Sequence, residues 1–262
     1  MNGKVIISMT SYPKRITNVG LSIYTILTHQ TRKPDEVHLY LASDEFPNKE
    51  LDLPKDLRYV ISLPSVGLHW VSKNTFCHKR HEIFKICDDN DLVFFIDDDV
   101  IYDARLIERC IELHNQQPNA IINYTNYGRI WFNGLHLMSG NENTRPSKFN
   151  RYCGQSMCPA SVYPKECLSD EMTSIRDTIC PVCDEIWMMQ FILARDILVM
   201  SAGFPWGKEI NHYNCNSIGI VSKVHNLDKD GLNFRDRQLI KLFHHFPDNK
   251  KMCVERCGYM AH

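Results

Sequence analysis

The sequence predicts an α/β protein with a mostly parallel central sheet flanked by helices. The clearest indication is an apolar run at residues 92–96, which leads directly into Asp97, Asp98 and Asp99. A run rich in Val, Ile and Phe that is too short for a helix is typical of a strand buried on both faces. Strand-like and helix-like segments also alternate along much of the chain, as they do when helices connect parallel strands.

The N-terminal part of the chain supplies the first elements of this sheet. Apolar residues recur with helical spacing from Val19 to Leu27, and Thr17 or Asn18 is suited to cap that helix. The intervening runs are short, rich in β-branched residues and bounded by Pro and polar residues. We expect, in order, a strand at 4–9, a helix at 19–28, strands at 36–41 and 58–62, a loop or short strand at 66–70 and a helix at 74–88.

The same patterns continue after the aspartates. Apolar residues with helical spacing predict helices at 104–116 and 184–195 and a last helix that ends at His244 and His245. Strands are expected at 120–124 and 197–200. Residues 126–160 have no clear periodicity but contain five aromatic residues, Tyr127, Trp131, Phe132, Phe149 and Tyr152. Such a segment is either a functional loop whose rings stack on sugars or bases, or a second small core.

Composition limits the class of protein. With 262 residues, 44% hydrophobic and 23% charged, the chain can form one large α/β domain with a substantial core. The net charge of −1 does not favour a nucleic-acid partner. The N-terminus lacks the features of a signal peptide, and no run approaches the ~18 apolar residues of a membrane span. We therefore expect a soluble, cytoplasmic protein.

Two nucleotide-binding motifs are missing from the sequence. No Gly-x-Gly-x-x-Gly follows the first predicted strand, and no Gly-x-x-x-x-Gly-Lys-Ser/Thr occurs anywhere. Their absence argues against a dinucleotide-binding Rossmann domain and against a P-loop nucleotidase.

The three aspartates indicate a ligand site at the carboxyl end of the predicted central strand, where open α/β sheets bind their ligands. Strand alternation would place Asp97 and Asp99 on one side and Asp98 on the other. With no Lys or Arg directly beside them in the sequence, two such carboxylates repel each other unless a hard divalent cation intervenes. The alternative is that the triplet only caps the following helix.

Each of the other candidate residues has two possible roles. Asp184 and Glu185 begin a predicted helix, so they either complement its dipole or include a general base. His212 lies in a predicted loop and either completes a metal site or is a surface residue. The eleven cysteines favour reduced thiols in a chain without a signal peptide, although a zinc site remains the alternative for four of them: Cys153, Cys158, Cys180 and Cys183.

These motifs together resemble the GT-A glycosyltransferases, most closely small bacterial members that build capsular or lipopolysaccharide chains. The resemblance extends over nearly the whole chain. It rests on the TSYPKR segment at 10–15, the PDEV segment at 34–37, the LASDEFP segment at 41–47, the Asp triplet and the DEIW segment at 184–187. It implies a single GT-A domain at 1–262, with a nucleotide-binding half at 1–125 and a smaller acceptor-side half at 126–262.

The resemblance also implies roles for individual residues. Asp97 and Asp99 would hold Mn²⁺ or Mg²⁺ against the donor diphosphate, and His212 matches the place of a third metal ligand in some members. Asp184 or Glu185 would be the base of an inverting enzyme. The donor-binding residues implied are Thr10, Ser11, Tyr12 and Arg15 in the nucleotide pocket, Asp44 or Glu45 at the base or ribose, Lys79 or Arg80 at the diphosphate, and Asp98.

The implied activity is transfer of a sugar from a nucleotide-sugar donor, with a UDP-sugar preferred, to a glycan or lipid-linked saccharide acceptor. Cell-surface polysaccharide synthesis would bring the enzyme into peripheral contact with the cytoplasmic membrane face. Two other classes are consistent with the same aspartates. One is a nucleotidyltransferase or phosphohydrolase with two metal ions, and the other is a non-catalytic module that binds sugars or nucleotides.

Overall fold

The computed structural model describes residues 3–125, 130–133, 136–139, 152, 154–205, 208–209, 232–248 and 250–251. The strands are β1 Val5–Thr10, β2 Glu36–Ala42, β3 Val66–Val71, β4 Leu92–Phe95, β5 Val100–Ile101, β6 Ala120–Thr125, β7 Ile130–Asn133, β8 His136–Ser139, β9 Ser156–Pro159, β10 Leu198–Phe204 and β11 Lys208–Glu209. The α-helices are α1 Ile16–His29, α2 Lys55–Ile61, α3 Leu106–Gln116, α4 Asp170–Ile179, α5 Asp184–Ala194 and α6 Phe234–His245. Three 3₁₀ helices span Lys49–Asp52, Phe76–Lys85 and Lys165–Leu168.

Seven strands form one mixed sheet in the order β10-β6-β9-β4-β1-β2-β3. The pairs β3–β2, β2–β1, β1–β4 and β6–β10 are parallel. Only β9, inserted between β4 and β6, is antiparallel to its neighbours. Two short antiparallel pairs lie outside this sheet, β5–β11 and β7–β8. The prediction of an α/β fold with a mostly parallel sheet flanked by helices is confirmed.

Each face of the sheet is covered by its own hydrophobic core. Along β1, Val5, Ile7 and Met9 face the core that includes α1, α2 and α3, whereas Ile6 faces the core that includes α5 and α6. β4 divides in the same way, with Phe94 on the first face and Val93 and Phe95 on the second. Because both faces of these strands are covered, they read as continuous apolar runs in the sequence.

The sequence-based element boundaries need several corrections. Residues 58–62 are not a strand: Leu57 and Val60 are the buried residues of helix α2, and their spacing of three is helical. The third strand is instead β3 at Val66–Val71. Helix α1 begins at Ile16, and its N-cap position is Arg15, without a side-chain cap bond, rather than Thr17 or Asn18.

Other elements differ from prediction because tertiary contacts form them. The segment predicted as a helix at 74–88 is a 3₁₀ helix at Phe76–Lys85, in which four consecutive polar residues, His78 to His81, are buried. Strand β9 and helix α4 were not predicted. No helix among the described residues is long and apolar enough to cross a membrane.

Burial of His78 predicts that acid destabilises the fold. His78 Nε2 donates a hydrogen bond to the Cys180 carbonyl oxygen at 3.0 Å. Burial lowers the pKa of His78 to about 3. Between this value and the ordinary histidine pKa, the unfolded chain binds the proton more readily than the folded one. The free energy of unfolding should therefore fall as pH drops below about 6.5, by up to about 1.4 kcal/mol per pH unit from this residue alone.

Urea unfolding at several pH values between 4 and 8, roughly the range that titrates histidine, checks this expectation. His78→Gln retains an amide donor for the Cys180 carbonyl but cannot take up a proton, so its stability should depend less steeply on pH. His29→Gln, at an exposed position, is the matched control and should follow the wild-type curve. The expectation would be contradicted if the free energy of unfolding depended on pH equally steeply in the His78→Gln and wild-type proteins.

Candidate active site

The candidate site lies where the parallel strands of the sheet end. The segment 11–15 follows β1, Asp44 and Glu45 follow β2, and Asp97–Asp99 follow β4. Since β2, β1 and β4 are parallel neighbours, their carboxyl ends share one edge of the sheet. This is the edge at which open α/β sheets bind ligands.

Asp98 and Asp99 are held by the segment that follows β1. The Ser11 hydroxyl donates to Asp98 Oδ2 at 2.5 Å. Arg15 Nη2 lies 2.6 Å from Asp98 Oδ1 and also contacts Asp99 Oδ2. The sequence shows no basic residue beside the triplet, but the fold brings one there from more than eighty positions away.

The triplet does not follow strand alternation. β4 ends at Phe95, and Asp98 and Asp99 form a turn that leads into β5. Asp98 and Asp99 consequently share one partner, Arg15, whereas Asp97 has different partners. The premise used to pair Asp97 with Asp99 therefore does not hold at this site.

Asp98 is a buried carboxyl with a raised pKa. Its residue is only 4% exposed, and burial raises the pKa of its carboxyl to about 7, with Asp99 and Asp97 adding to the rise. Arg15 and the Ser11 hydrogen bond oppose this shift without cancelling it. Burial is therefore the main reason that Asp98 holds a proton more readily than an ordinary aspartate does.

Asp97 is fixed through its backbone and both carboxylate oxygens. Its N–H donates to the Tyr102 hydroxyl at 2.8 Å, and its carbonyl accepts from Ser22 Oγ at 3.2 Å. Gln155 Nε2 donates to Oδ2 at 2.5 Å, and Arg80 Nη1 donates to Oδ1 at 3.2 Å. About a third of the side chain, 35%, is exposed, which makes Asp97 the most accessible carboxylate of the triplet.

Arg80 connects the triplet to the acidic pair of helix α5. Its Nε and Nη2 donate to Asp184 Oδ2 at 3.1 and 2.6 Å, while Nη1 reaches Asp97. The guanidinium lies 5.4 Å from the centre of the Phe95 ring. Gly154 lies against it so closely that any side chain there would collide with Arg80 Nη2. One buried cation therefore joins carboxylates that are 87 positions apart in the sequence.

Asp184 is buried, and two residues contact its Oδ2. Besides Arg80, it contacts His81 Nε2 at 3.3 Å, and His81 Nδ1 lies 3.0 Å from the Tyr163 hydroxyl. Burial lowers the pKa of His81, so the neutral ring accepts from Tyr163 and donates to Asp184. Burial by itself would raise the pKa of Asp184, but Arg80 and His81 hold it well below the ordinary value.

Glu185 differs from its neighbour in burial and in bonding. The residue is half-buried, and its Oε1 accepts a hydrogen bond from the Gly154 backbone N–H at 3.4 Å. The next residue, Gln155, donates to Asp97. The two-residue segment 154–155 therefore contacts Glu185 on one side and the triplet on the other.

The remaining predicted donor residues lie along the β2 side of the edge. Lys79 is buried and donates to Asn74 Oδ1 at 2.8 Å, and its Nζ lies 3.4 Å from Glu45 Oε2. Asp44 is exposed and accepts from the Asn74 backbone N–H at 3.1 Å. Lys79 thus pairs away from the triplet, unlike Arg80.

Two further predicted residues lie in β1 and in the loop that follows it. Thr10 Oγ1 donates to the Tyr40 carbonyl at 2.8 Å. Tyr12 is half-buried, and burial raises its pKa while Arg15 opposes the rise. Both residues therefore belong to the same edge as Arg15 and Asp98.

Sequence reasoning missed four residues that organise the site: Tyr102, His81, Gly154 and Gln155. Gly154 and Gln155 lie in a segment without periodicity, and nothing local marks them as partners of Arg80 and Asp97. His212 and Cys153 are outside the described residues, as are the side chains of Tyr127, Trp131, Phe132 and Phe149. The fifth aromatic of that segment, Tyr152, is 1% exposed and belongs to the core that includes α5 and α6.

The site contains side chains of the type that bind metal ions, but the described residues do not form a complete metal site. In the part of the chain that the structure describes, no three His, Cys, Asp or Glu side chains are grouped to hold a metal ion. There, the carboxylates of Asp97, Asp98, Asp99 and Asp184 face the guanidiniums of Arg15 and Arg80. Carboxylate oxygens are the ligands that Mg²⁺ and Mn²⁺ prefer. The described cysteines are free, and burial raises the pKa of Cys158, Cys180 and Cys183.

Comparison with known proteins gives little to add to this geometry. No family model matches the chain, and no curated protein matches it. Among solved structures, the chain is similar to S. aureus TarS 1–349, with a TM-score of 0.49 and 11% sequence identity. The alignment covers 78% of this chain and 59% of the TarS chain. Because the TM-score is below 0.5, this similarity assigns neither a fold nor an activity.

Proposed function

We propose that the protein is a GT-A-type glycosyltransferase that moves a sugar from a nucleotide-diphosphate donor to a glycan or lipid-linked saccharide. The observation that carries the proposal is the Arg80 bridge, which brings Asp97 and Asp184 together at the carboxyl edge of the parallel sheet. Sugar transfer requires a charged donor site and a base for the acceptor hydroxyl within one pocket. The Asp triplet and the acidic pair supply these two parts.

The donor half of the pocket is assigned to the segment 10–15 and the triplet. Arg15, with 20% of its side chain exposed, is the guanidinium placed to meet a diphosphate, and Tyr12 is the aromatic beside it. Asp44 is exposed at the end of β2 and is assigned to the base or ribose. A UDP-sugar is the donor class that we propose to test first.

A divalent cation, Mn²⁺ or Mg²⁺, fits this site by the chemistry of its oxygen donors. Asp97 and Asp99 are the residues assigned to hold it, with His212 as a further ligand. When bound, such a cation acts as a Lewis acid that stabilises the leaving nucleoside diphosphate. Arg15 provides positive charge at the same edge of the sheet.

The two members of the acidic pair have different assigned roles. Asp184 is buried, with its charge committed to Arg80 and a depressed pKa, so it is a poor proton acceptor. Its role is to position Arg80. Glu185 is half-buried and adjoins the 154–155 segment, so it is assigned as the general base that removes the acceptor proton.

Thermal unfolding with a ligand panel tests the proposal. A ligand that binds only the folded protein stabilises it by roughly RT ln(1 + [L]/Kd), or about 2.7 kcal/mol when the ligand concentration is a hundred times Kd. The melting temperature rises as a result. We expect UDP or a UDP-sugar to raise it, with a larger rise when Mn²⁺ is present. GDP, CDP, AMP and Mn²⁺ alone are the comparisons.

An Asp97→Asn/Asp99→Asn variant is the control for the panel, because it removes two carboxylate charges and retains side chains of similar size. Its melting temperature should not respond to UDP with Mn²⁺. If no nucleotide shifts the wild-type protein, with or without metal, the transferase proposal fails. A sugar that shifts it without any nucleotide would instead indicate a non-catalytic binding module.

A further inference from the structure

Arg15 forms ion pairs with two of the three aspartates of the triplet. A single nitrogen, Nη2, contacts Asp98 Oδ1 at 2.6 Å and Asp99 Oδ2 as well. The Nε of Arg15 is buried without a hydrogen-bond partner in the part of the chain that the structure describes. Strong arginine–carboxylate pairs are bidentate, with two parallel N–H···O bonds. In Arg15, Nη2 is shared between the two carboxylates and Nε bonds to neither of them.

Arg80 offers an internal comparison. It donates two nitrogens to Asp184 and a third to Asp97, and only 6% of its side chain is exposed. Arg15 has 20% of its side chain exposed and lies just before the first turn of helix α1. Of the two guanidiniums at this edge, Arg15 is therefore the one that can leave its carboxylates at lower cost.

A departing guanidinium needs a new anion, and a diphosphate is well suited to this role. The planar fork of arginine matches phosphate oxygens and pairs with them through two hydrogen bonds. Its departure would free the carboxylate of Asp99, one of the two carboxylates assigned to the divalent cation. The divalent cation would then replace Arg15 as the positive charge beside the aspartates.

We infer that Arg15 acts as a resident counter-ion that competes with the divalent cation for Asp99, an assigned cation ligand that it already contacts, and that it transfers to the donor diphosphate when the nucleotide binds. The inference rests on the proposed function and adds to it a coupling between the two ligands. The cation binds weakly to the free protein, because Arg15 opposes it, and more tightly once the diphosphate has taken Arg15. By reciprocity, the cation tightens nucleotide binding by the same factor.

Calorimetric titrations of the intact protein test this coupling with Mn²⁺ alone, UDP alone and each ligand in the presence of the other. Arg15→Gln should bind Mn²⁺ alone at least about tenfold more tightly than the wild type, because the competing charge is gone. The same variant should bind UDP more weakly and lose most of the mutual enhancement. Arg105→Gln, at an exposed arginine on the surface, should match the wild type in every titration.

Arg15→Lys keeps the charge but lacks the planar fork, and it serves if Arg15→Gln does not fold. It should bind Mn²⁺ alone as the wild type does and show reduced enhancement by UDP. Equal or weaker Mn²⁺ binding by Arg15→Gln, or unchanged enhancement in Arg15→Lys, would overturn the inference while leaving the transferase proposal intact. Absence of UDP binding by the wild type in any titration would instead count against the proposed function itself.

Discussion

Replacing Glu185 with Gln is expected to lower the turnover of sugar transfer by roughly 10²–10⁴-fold, the usual contribution of a positioned general base. The substitution keeps the size of the side chain and an oxygen that can accept from the Gly154 N–H, but it removes the proton acceptor. Nucleotide binding and the melting temperature should stay near wild-type values. Release of UDP from the UDP-sugar that gives the largest thermal shift, with water or a glycan as acceptor, measures the effect.

Glu171→Gln is the matched control, because Glu171 is also in the first turn of a helix, α4, but is exposed. Its turnover should equal that of the wild type. The assignment of Glu185 as the base would be wrong if Glu185→Gln turned over as fast as Glu171→Gln. A large loss of melting temperature in Glu185→Gln would point to a structural role instead.

Replacing Arg80 with Met is expected to destabilise the fold by roughly 3–5 kcal/mol, as is typical when one partner of a buried ion pair is removed. Asp184 would remain buried with an uncompensated charge, and Asp97 would lose one of its donors. Urea unfolding measures the change, provided that the slope with denaturant stays constant. Arg105→Met, which removes an arginine of an exposed ion pair with Glu108, should change stability little.

A double-mutant cycle separates the loss of the ion pair from the loss of packing. Adding Asp184→Asn to Arg80→Met removes the buried charge, so the double variant should be more stable than the sum of the two single losses predicts. Additive losses would show that Arg80 stabilises the fold through its contact with Phe95 rather than through Asp184. Asp184→Asn alone should be clearly destabilised, in contrast to Glu185→Gln.

Much of the sheet could be predicted from the sequence because strand burial is a local signal. The continuous apolar runs of β1 and β4 follow from coverage of both faces, and the polar residues after them mark the carboxyl edge. The incorrect prediction of a strand at residues 58–62 also arose from a local signal. Residues 58–62 contain Tyr, Val and Ile, which favour strands, yet Leu57 and Val60 pack as a helical pair in α2.

Strand β9 illustrates a different limit. Its four residues are all buried and lie antiparallel between β4 and β6, in a region without periodicity. Such a short strand gains its stability from the partners on both sides, and those partners are distant in the sequence. Local pattern alone does not distinguish it from a loop.

By itself, the sequence determined the class of fold, the edge of the sheet at which polar side chains collect, and the acidic residues that make this edge a candidate site. Only the tertiary structure decided how those residues are paired: Arg15 with Asp98 and Asp99, and Arg80 with Asp97 and Asp184. The physical reason is that hydrophobic periodicity is set by near neighbours in the chain. Ion pairs between residues as far apart as Arg80 and Asp184 depend instead on where the whole sheet places them.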